Sequence, residues 1–396
     1  MKKILSLFVV VAMIFSISAT SVSAKESNPS LRFNEDGKFR ILQVADLQDN
    51  AVLNPVAKDF LKAAIERENP DLIILTGDNF AGYSTGTNIC SAIDKALAKK
   101  AINEYMSIFE KYGIPVTMVP GNHDDQDIKL TKEEELKIYQ QYDCFIGYDA
   151  VPEMYGCGTH NIPIYSSENA YKLAYNLWLF DSNTYDEELG GYDYVHDDQV
   201  EWYVNKSNEL KAANGGKVVP SMAFQHIVVK EILDTLEECP EGTPNSMPND
   251  GKFYKFSDAY YKTGNFKEWP CPGTRDSKQF GAMVDQGDVV AMFFGHDHNN
   301  SYEVNYKGID LVATPGFTFS SYGNEDKGFR VIDIDENDTS TYESHLIHWQ
   351  DYYGSSQMAM NHYNMYAQEN SGWVKFVSAL KYIPFALIKV FFGYIF

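Results

Sequence analysis

Cysteine is scarce, with five residues in 396, at positions 90, 144, 157, 239 and 271. None forms a Cys-x-x-Cys pair, which argues against a zinc ribbon. Positive charge is also short. Lys and Arg number 33 against 55 Asp and Glu, for a formal charge of -22. Such a surface repels nucleic acid and anionic lipid, so no nucleic-acid partner is expected. A small phosphorylated substrate is compatible with it where bound metal reverses the sign locally. Internal repeats are lacking, and so is a clean linker. The length allows one large α/β domain or two ordinary ones, and the unbroken character of the chain favours one with insertions.

The two ends differ from the body. Lys2 and Lys3 precede an apolar run over residues 4–17, and Val22-Ser23-Ala24 offers small residues before a cut ahead of Lys25. This pattern predicts a cleaved signal peptide over residues 1–24 and a secreted or extracytoplasmic protein. No Cys follows the cut, so a lipoprotein is not expected. An exported chain permits disulfides. Cys144 with Cys157 and Cys239 with Cys271 are the pairs expected, leaving one odd cysteine. Residues 373–396 are almost wholly apolar but broken by Lys375, Lys381, Lys389 and Pro384. That reads either as a terminal helix packed on the domain or as an interfacial anchor making peripheral membrane contact.

Between the ends, short apolar runs alternate with helical patterns. Residues 39–44 read as a buried strand ending at Asp46. Asn54-Pro55 starts a helix, with Asn as cap and Pro in its first turn. A second apolar run, 72–75, leads into Gly77-Asp78-Asn79. A longer helix follows with Leu97, Ala101, Tyr105, Ile108 and Tyr112 on one face, stopped by Gly113. A third run, 116–119, leads into Gly121-Asn122-His123-Asp124. Strand, helix, strand, helix, strand implies a parallel sheet, whose active sites lie at the carboxyl ends of the strands. Residues 125–170 look loop-rich, apart from an acidic helical stretch near 132–142. Further strands are predicted at 173–180, 218–224 (delivering His226) and 289–294 (delivering Gly295-His296-Asp297-His298), with a helix over 199–213. Residues 239–279, rich in Pro and Gly, read as a surface excursion.

Two divalent metals need a bridging carboxylate and several neutral nitrogen or oxygen ligands. Asp46, Asp78, Asn122, His226, His296 and His298 each stand just past an apolar strand, and such donors suit Zn, Mn or Fe. Singly these residues carry little. Gly-Asp-Asn is usually a turn, and a lone His after a strand is usually a core histidine. Five clusters in order at strand ends are a different matter. Asp46-Leu47-Gln48, Gly77-Asp78-Asn79, Gly121-Asn122-His123-Asp124, His226 and Gly295-His296-Asp297-His298 together resemble the signature of the calcineurin-like metallophosphoesterase superfamily. The stretch from 199 to 226 and the Gly-His-Asp-His motif look most like the branch near purple acid phosphatases and fungal and plant phosphatase-like proteins.

The resemblance implies a two-sheet αββα sandwich with two metal ions. Asp78 would bridge them. Asp46 and His298 would complete the first site, and Asn122, His226 and His296 the second. His123 would protonate the leaving oxygen while a metal-bound hydroxide attacks phosphorus in line, and Asp124 would orient His123. Position 48 departs from the common pattern, which has His there. Gln48 is expected to coordinate weakly, or Asp49 to bend in. Tyr83 is displaced from the position at which purple acid phosphatases place a ligand. Aromatic residues near the motifs (Tyr83, Tyr155, Tyr302, Phe317, Phe319 and Tyr322) either stack on a leaving group or pack the domain. The activity implied is hydrolysis of small phosphomonoesters or phosphodiesters outside the cytoplasm. The alternatives are a cyclic-nucleotide or lipid-headgroup phosphodiesterase and a non-catalytic surface protein retaining the fold.

Overall fold

A computed structural model describes residues 30–323, 326–366 and 370–392. The expected signal peptide lies outside the described residues. Two sheets face each other. The five-stranded sheet runs Glu343–His348, Gly328–Asp335, Lys38–Val44, Leu72–Thr76, Val116–Val119, with the last three strands parallel. The eight-stranded sheet runs Leu31–Arg32, His160–Tyr165, Leu173–Leu179, Ser221–Phe224, Val289–Phe294, Ile309–Ala313, Glu303–Tyr306, Tyr261–Thr263. Its four strands from Leu173–Leu179 to Ile309–Ala313 are parallel to one another.

Strand alternation explains the layers. Phe39 and Ile41 point into the cluster between the sheets, where they meet Leu177, Met222 and Phe293. Leu42 and Val44 point the other way, onto the helices Pro55–Glu68 and Ser91–Tyr112. Leu72 and Ile74 face inward while Ile73 and Leu75 face outward, as a period of two requires. The eight-stranded sheet packs its outer face on the helices Asp197–Ala213 and Gln279–Gln286, through Val200, Tyr203, Phe280 and Met283. This is the αββα sandwich. Asn54 accepts from the Val56 N–H and starts its helix; Gly113 ends the next one at φ 67°.

Two stretches differ from the sequence reading. The loop-rich region contains the strand His160–Tyr165, and the excursion carries its own three-stranded sheet of Leu236–Cys239, Met247–Asn249 and Lys252–Phe256. No disulfide joins any of the five cysteines. Cys144 is tied to Glu110 through its N–H, whereas Cys157 is buried with its N–H on Asp181. Cys271 is tied to Asp297, while Cys239 lies on the edge of the small sheet. Neither expected pair is formed, because its members are anchored on different elements.

Candidate active site

The three parallel strands of the five-stranded sheet and the four from Leu173–Leu179 to Ile309–Ala313 end at the same edge, and that edge collects the polar clusters. From the five-stranded sheet come Asp46, Gln48, Asp78, Asn122 and His123; from the eight-stranded sheet come His226, His296 and His298. Loop geometry brings them close. The backbone turns through left-handed conformations at Asp46 (φ 50°), Gln48 (φ 38°), Asp78 (φ 49°) and His296 (φ 72°). Such conformations are costly for residues with a Cβ and concentrate at functional sites. The glycines of the motifs make room. A Cβ on Gly121 would collide with the backbone nitrogen and Oδ1 of Asp78, and one on Gly77, at φ 83°, would meet Nδ1 of His226 at 2.5 Å.

The cluster is dry. Asp46, Gln48, Asp78, Asn122, His226 and His298 are all buried, and the His123 side chain is the partly exposed member at the rim. Asp78 lies at the centre. Its Oδ2 is 3.3 Å from Nε2 of His226 and 3.9 Å from Nε2 of His123, and its Oδ1 accepts from the His123 N–H at 2.8 Å. Asn122 Oδ1 is 3.1 Å from the same His226 Nε2. On the other side Nε2 of His298 is 3.3 Å from Asp46 Oδ1. Ligand-type atoms of Asp46, Asp78 and His298 all lie within 4.8 Å of one another. The His296 ring meets the His226 ring edge-on at 5.0 Å.

Second-layer partners set the ring orientations. Thr76 O accepts from Nδ1 of His226 at 2.9 Å, and Tyr322 O accepts from Nδ1 of His298 at 2.9 Å. Both rings therefore turn Nε2 toward the carboxylates, the arrangement of an imidazole ready to bind a metal. Burial acts to raise Asp78, but the imidazoles of His226 and His123 hold its carboxyl well below the usual range. Burial acts to lower His226 and His298, yet Asp78 raises the first and Asp46 the second. The carboxylates thus favour protons on these imidazoles, and metal ions would displace them, since a ligating imidazole is neutral.

Gln48 tests whether this set fits metal. Its Nε2 is 3.5 Å from Asp78 Oδ2, and its buried Oε1 has no hydrogen-bond partner. An orphaned, buried carbonyl oxygen on an amide next to Asp78 is an acceptor left for a cation. The donor set of carboxylates, imidazoles and amides fits a hard or borderline divalent pair.

Two expected roles are not met. Asp49 does not bend toward the site: its Oδ1 accepts from Ser320 Oγ at 2.7 Å and its Oδ2 from the Asn54 N–H. Asp124 does not reach the His123 ring. Its oxygens accept from the N–H groups of Asn79 (2.7 Å), Phe80 (3.0 Å) and Gly121 (2.7 Å). It ties together the loops that carry Asp78 and Asn122. The partner of His123 is Gln126, whose Oε1 accepts from Nδ1. Sequence reading missed Gln126, and also Tyr185 and Tyr192. Tyr185 OH accepts from Asn122 Nδ2 at 3.0 Å, and Tyr192 meets the His296 ring at 4.3 Å. Of the aromatics singled out, Tyr302, Phe317 and Phe319 are core residues and Tyr155 stacks on His196. Tyr322 stacks on His298 at 4.1 Å, and Tyr83 packs edge-on against His123 at 5.0 Å.

The sequence model of the calcineurin-like phosphoesterases matches residues 39–300. The chain belongs to this family. That span contains each residue gathered at the strand ends. Similar proteins include "Probable inactive purple acid phosphatase 14" of Arabidopsis thaliana, 28% identical over 342 residues that cover 78% of this chain and 77% of the relative. "Phosphatase DCR2" of Saccharomyces cerevisiae is 25% identical over 299 residues, 69% of this chain and 46% of the relative. Among solved structures, a dimetal phosphatase from Danio rerio aligns with 78% of this chain and 99% of its own, at 12% identity and a TM-score of 0.46. Within the calcineurin-like family the chain is thus similar to proteins named as purple acid phosphatases.

Proposed function

We propose that this calcineurin-like phosphoesterase is an exported hydrolase of small phosphomonoesters or phosphodiesters, working with two bound metal ions. One observation carries the reading: two carboxylates, two amides and three imidazoles converge in a buried cluster with a partly exposed imidazole, His123, at its rim. Asp78 would be shared by the two ions. Asp46, His298 and the orphaned Oε1 of Gln48 would hold one, and Asn122, His226 and His296 the other. When bound, such a pair supplies charge neutralisation at phosphorus and acidifies water at neutral pH.

The chain's own residues account for the remaining steps. Gln126 Oε1 accepts from Nδ1 of His123, so this nitrogen keeps its proton and Nε2 is the atom that exchanges one. As an imidazolium, His123 donates from Nε2 to the departing ester oxygen, and Tyr83 flanks its ring. Tyr185 fixes the Asn122 amide so that its oxygen, not its nitrogen, faces the cluster. Export is part of the proposal and rests on the leader pattern of residues 1–24.

A second reading, a surface protein that keeps the fold without the chemistry, has two supports: Gln48, an amide in place of an imidazole, and the word "inactive" in the names of relatives. Turnover of an aryl phosphomonoester and an aryl phosphodiester separates the readings. The protein is stripped of metal, refilled with Mn, Zn or Fe, and compared with His123→Ala. Metal-dependent cleavage lost in the variant is expected, and the better ester names the substrate class. Absence of cleavage of both esters, with metal bound, would favour the second reading.

A further inference from the structure

The terminal helix Gly372–Phe392 faces the wrong way for a helix on a soluble domain. Such helices bury their apolar stripe and expose their polar face. Here Trp373, Phe376, Leu380 and Ile383, spaced to share one face, are 72%, 54%, 60% and 47% exposed. On the opposite face Ser378 is buried, and Tyr382 stacks on His362 of the helix Gln357–Tyr366 at 4.2 Å and 4°. The serine side holds the protein and the tryptophan side meets solvent. A contiguous apolar ridge of this kind marks a contact surface.

Charge selects the partner. Residues 373–396 contain three lysines and no acid, in a chain whose formal charge is -22. Lys381 is exposed on the flank of the ridge. A basic, apolar helix opening on Trp is suited to the headgroup level of an anionic bilayer. Among the described residues no helix is long and apolar enough to cross a membrane, and Pro384 lies inside this one. We propose that the exposed ridge of Gly372–Phe392 docks on an anionic membrane surface, with Trp373, Phe376, Leu380 and Ile383 entering the headgroup boundary and Lys381 pairing with anionic headgroups. The acidic body is repelled by the same surface, so contact is confined to the tail.

Sedimentation of the full chain with vesicles tests this. Phosphatidylcholine vesicles are compared with phosphatidylcholine mixed with phosphatidylglycerol. Binding to the anionic vesicles alone is expected, weakening as salt rises. Phe376→Ser and Leu380→Ser should each reduce partitioning by about tenfold, without changing the melting temperature, because both side chains are exposed. These substitutions separate the tail from the apolar residues 4–17. Equal binding to neutral vesicles, or binding to neither, would overturn the proposal. So would a dimer, detected by light scattering and dissolved by the same substitutions, since a second copy would then cover the ridge.

Discussion

The two flanks of the site are unequal. Asn122, His226 and His296 stand on one side of Asp78, and each is braced: Tyr185 holds the amide, Thr76 O holds His226, and Tyr192 packs on His296. On the other side stand Asp46 and His298, also braced, by the His296 N–H and by Tyr322. The third member there is Gln48, in a left-handed backbone with an unpartnered Oε1. The fold, the strand-end positions and the presence of one amide are alike on the two flanks; the support of that amide is not, since Tyr185 holds Asn122 and nothing holds Oε1 of Gln48. An amide oxygen is a weaker donor than an imidazole toward Zn, Mn or Fe. On the proposed two-ion reading, the flank with the unsupported amide is the one that would hold its ion less tightly.

The largest effect should come from the residue common to both flanks. Asp78→Asn is expected to remove both ions and lower turnover by roughly 10³-fold or more, since several kcal/mol of charge stabilisation go with them. Metal analysis finding two ions per chain would break the sharing of Asp78. His123→Ala comes next. Turnover should fall by roughly 10²–10⁴-fold while metal content on both flanks stays as in the wild type, and loss of metal would place His123 among the ligands. Asp124→Ala acts on the frame. It leaves the N–H groups of Asn79, Phe80 and Gly121 without their acceptor, at ~1–3 kcal/mol each. Calorimetry should show a melting temperature several degrees lower; an unchanged value would mean that the two loops are held apart from Asp124.

Much of this was legible along the chain because the informative signals are local. An apolar run ending in Gly-Asp or Gly-Asn-His states both a strand and what stands at its end. The parallel strands of both sheets and the residues at their ends follow from that. What was missed depends on return paths. The strand His160–Tyr165 begins with His-Asn and contains Pro163, so its composition hides it, although it pairs with Leu173–Leu179. Gln126 lies three residues past His123 and becomes its partner only because the loop folds back. The family resemblance gives Asp124 to His123, but the turn sends its carboxylate toward Asn79 and Gly121. Tyr185 and Tyr192 pair across a loop that the sequence does not close. The cysteine pairs failed for the same reason, since distance in space is not written in spacing along the chain.

The smallest effect is the most discriminating. Gln48→His places an imidazole on the weaker flank. If the unsupported amide is what weakens that flank, the variant should bind its first ion about tenfold more tightly, comparable to what a single supporting interaction contributes at a metal site. Binding at the Asn122–His226–His296 flank should be unchanged. Stepwise titration of the metal-free protein resolves the two events. Turnover should then rise at limiting metal and converge with the wild type at saturation, since only occupancy has changed. A rise that persists at saturation would mean that Gln48 limits the chemistry itself. An unaltered first affinity would mean that Oε1 of Gln48 does not face the ion, and the two flanks would then differ in sequence but not in function.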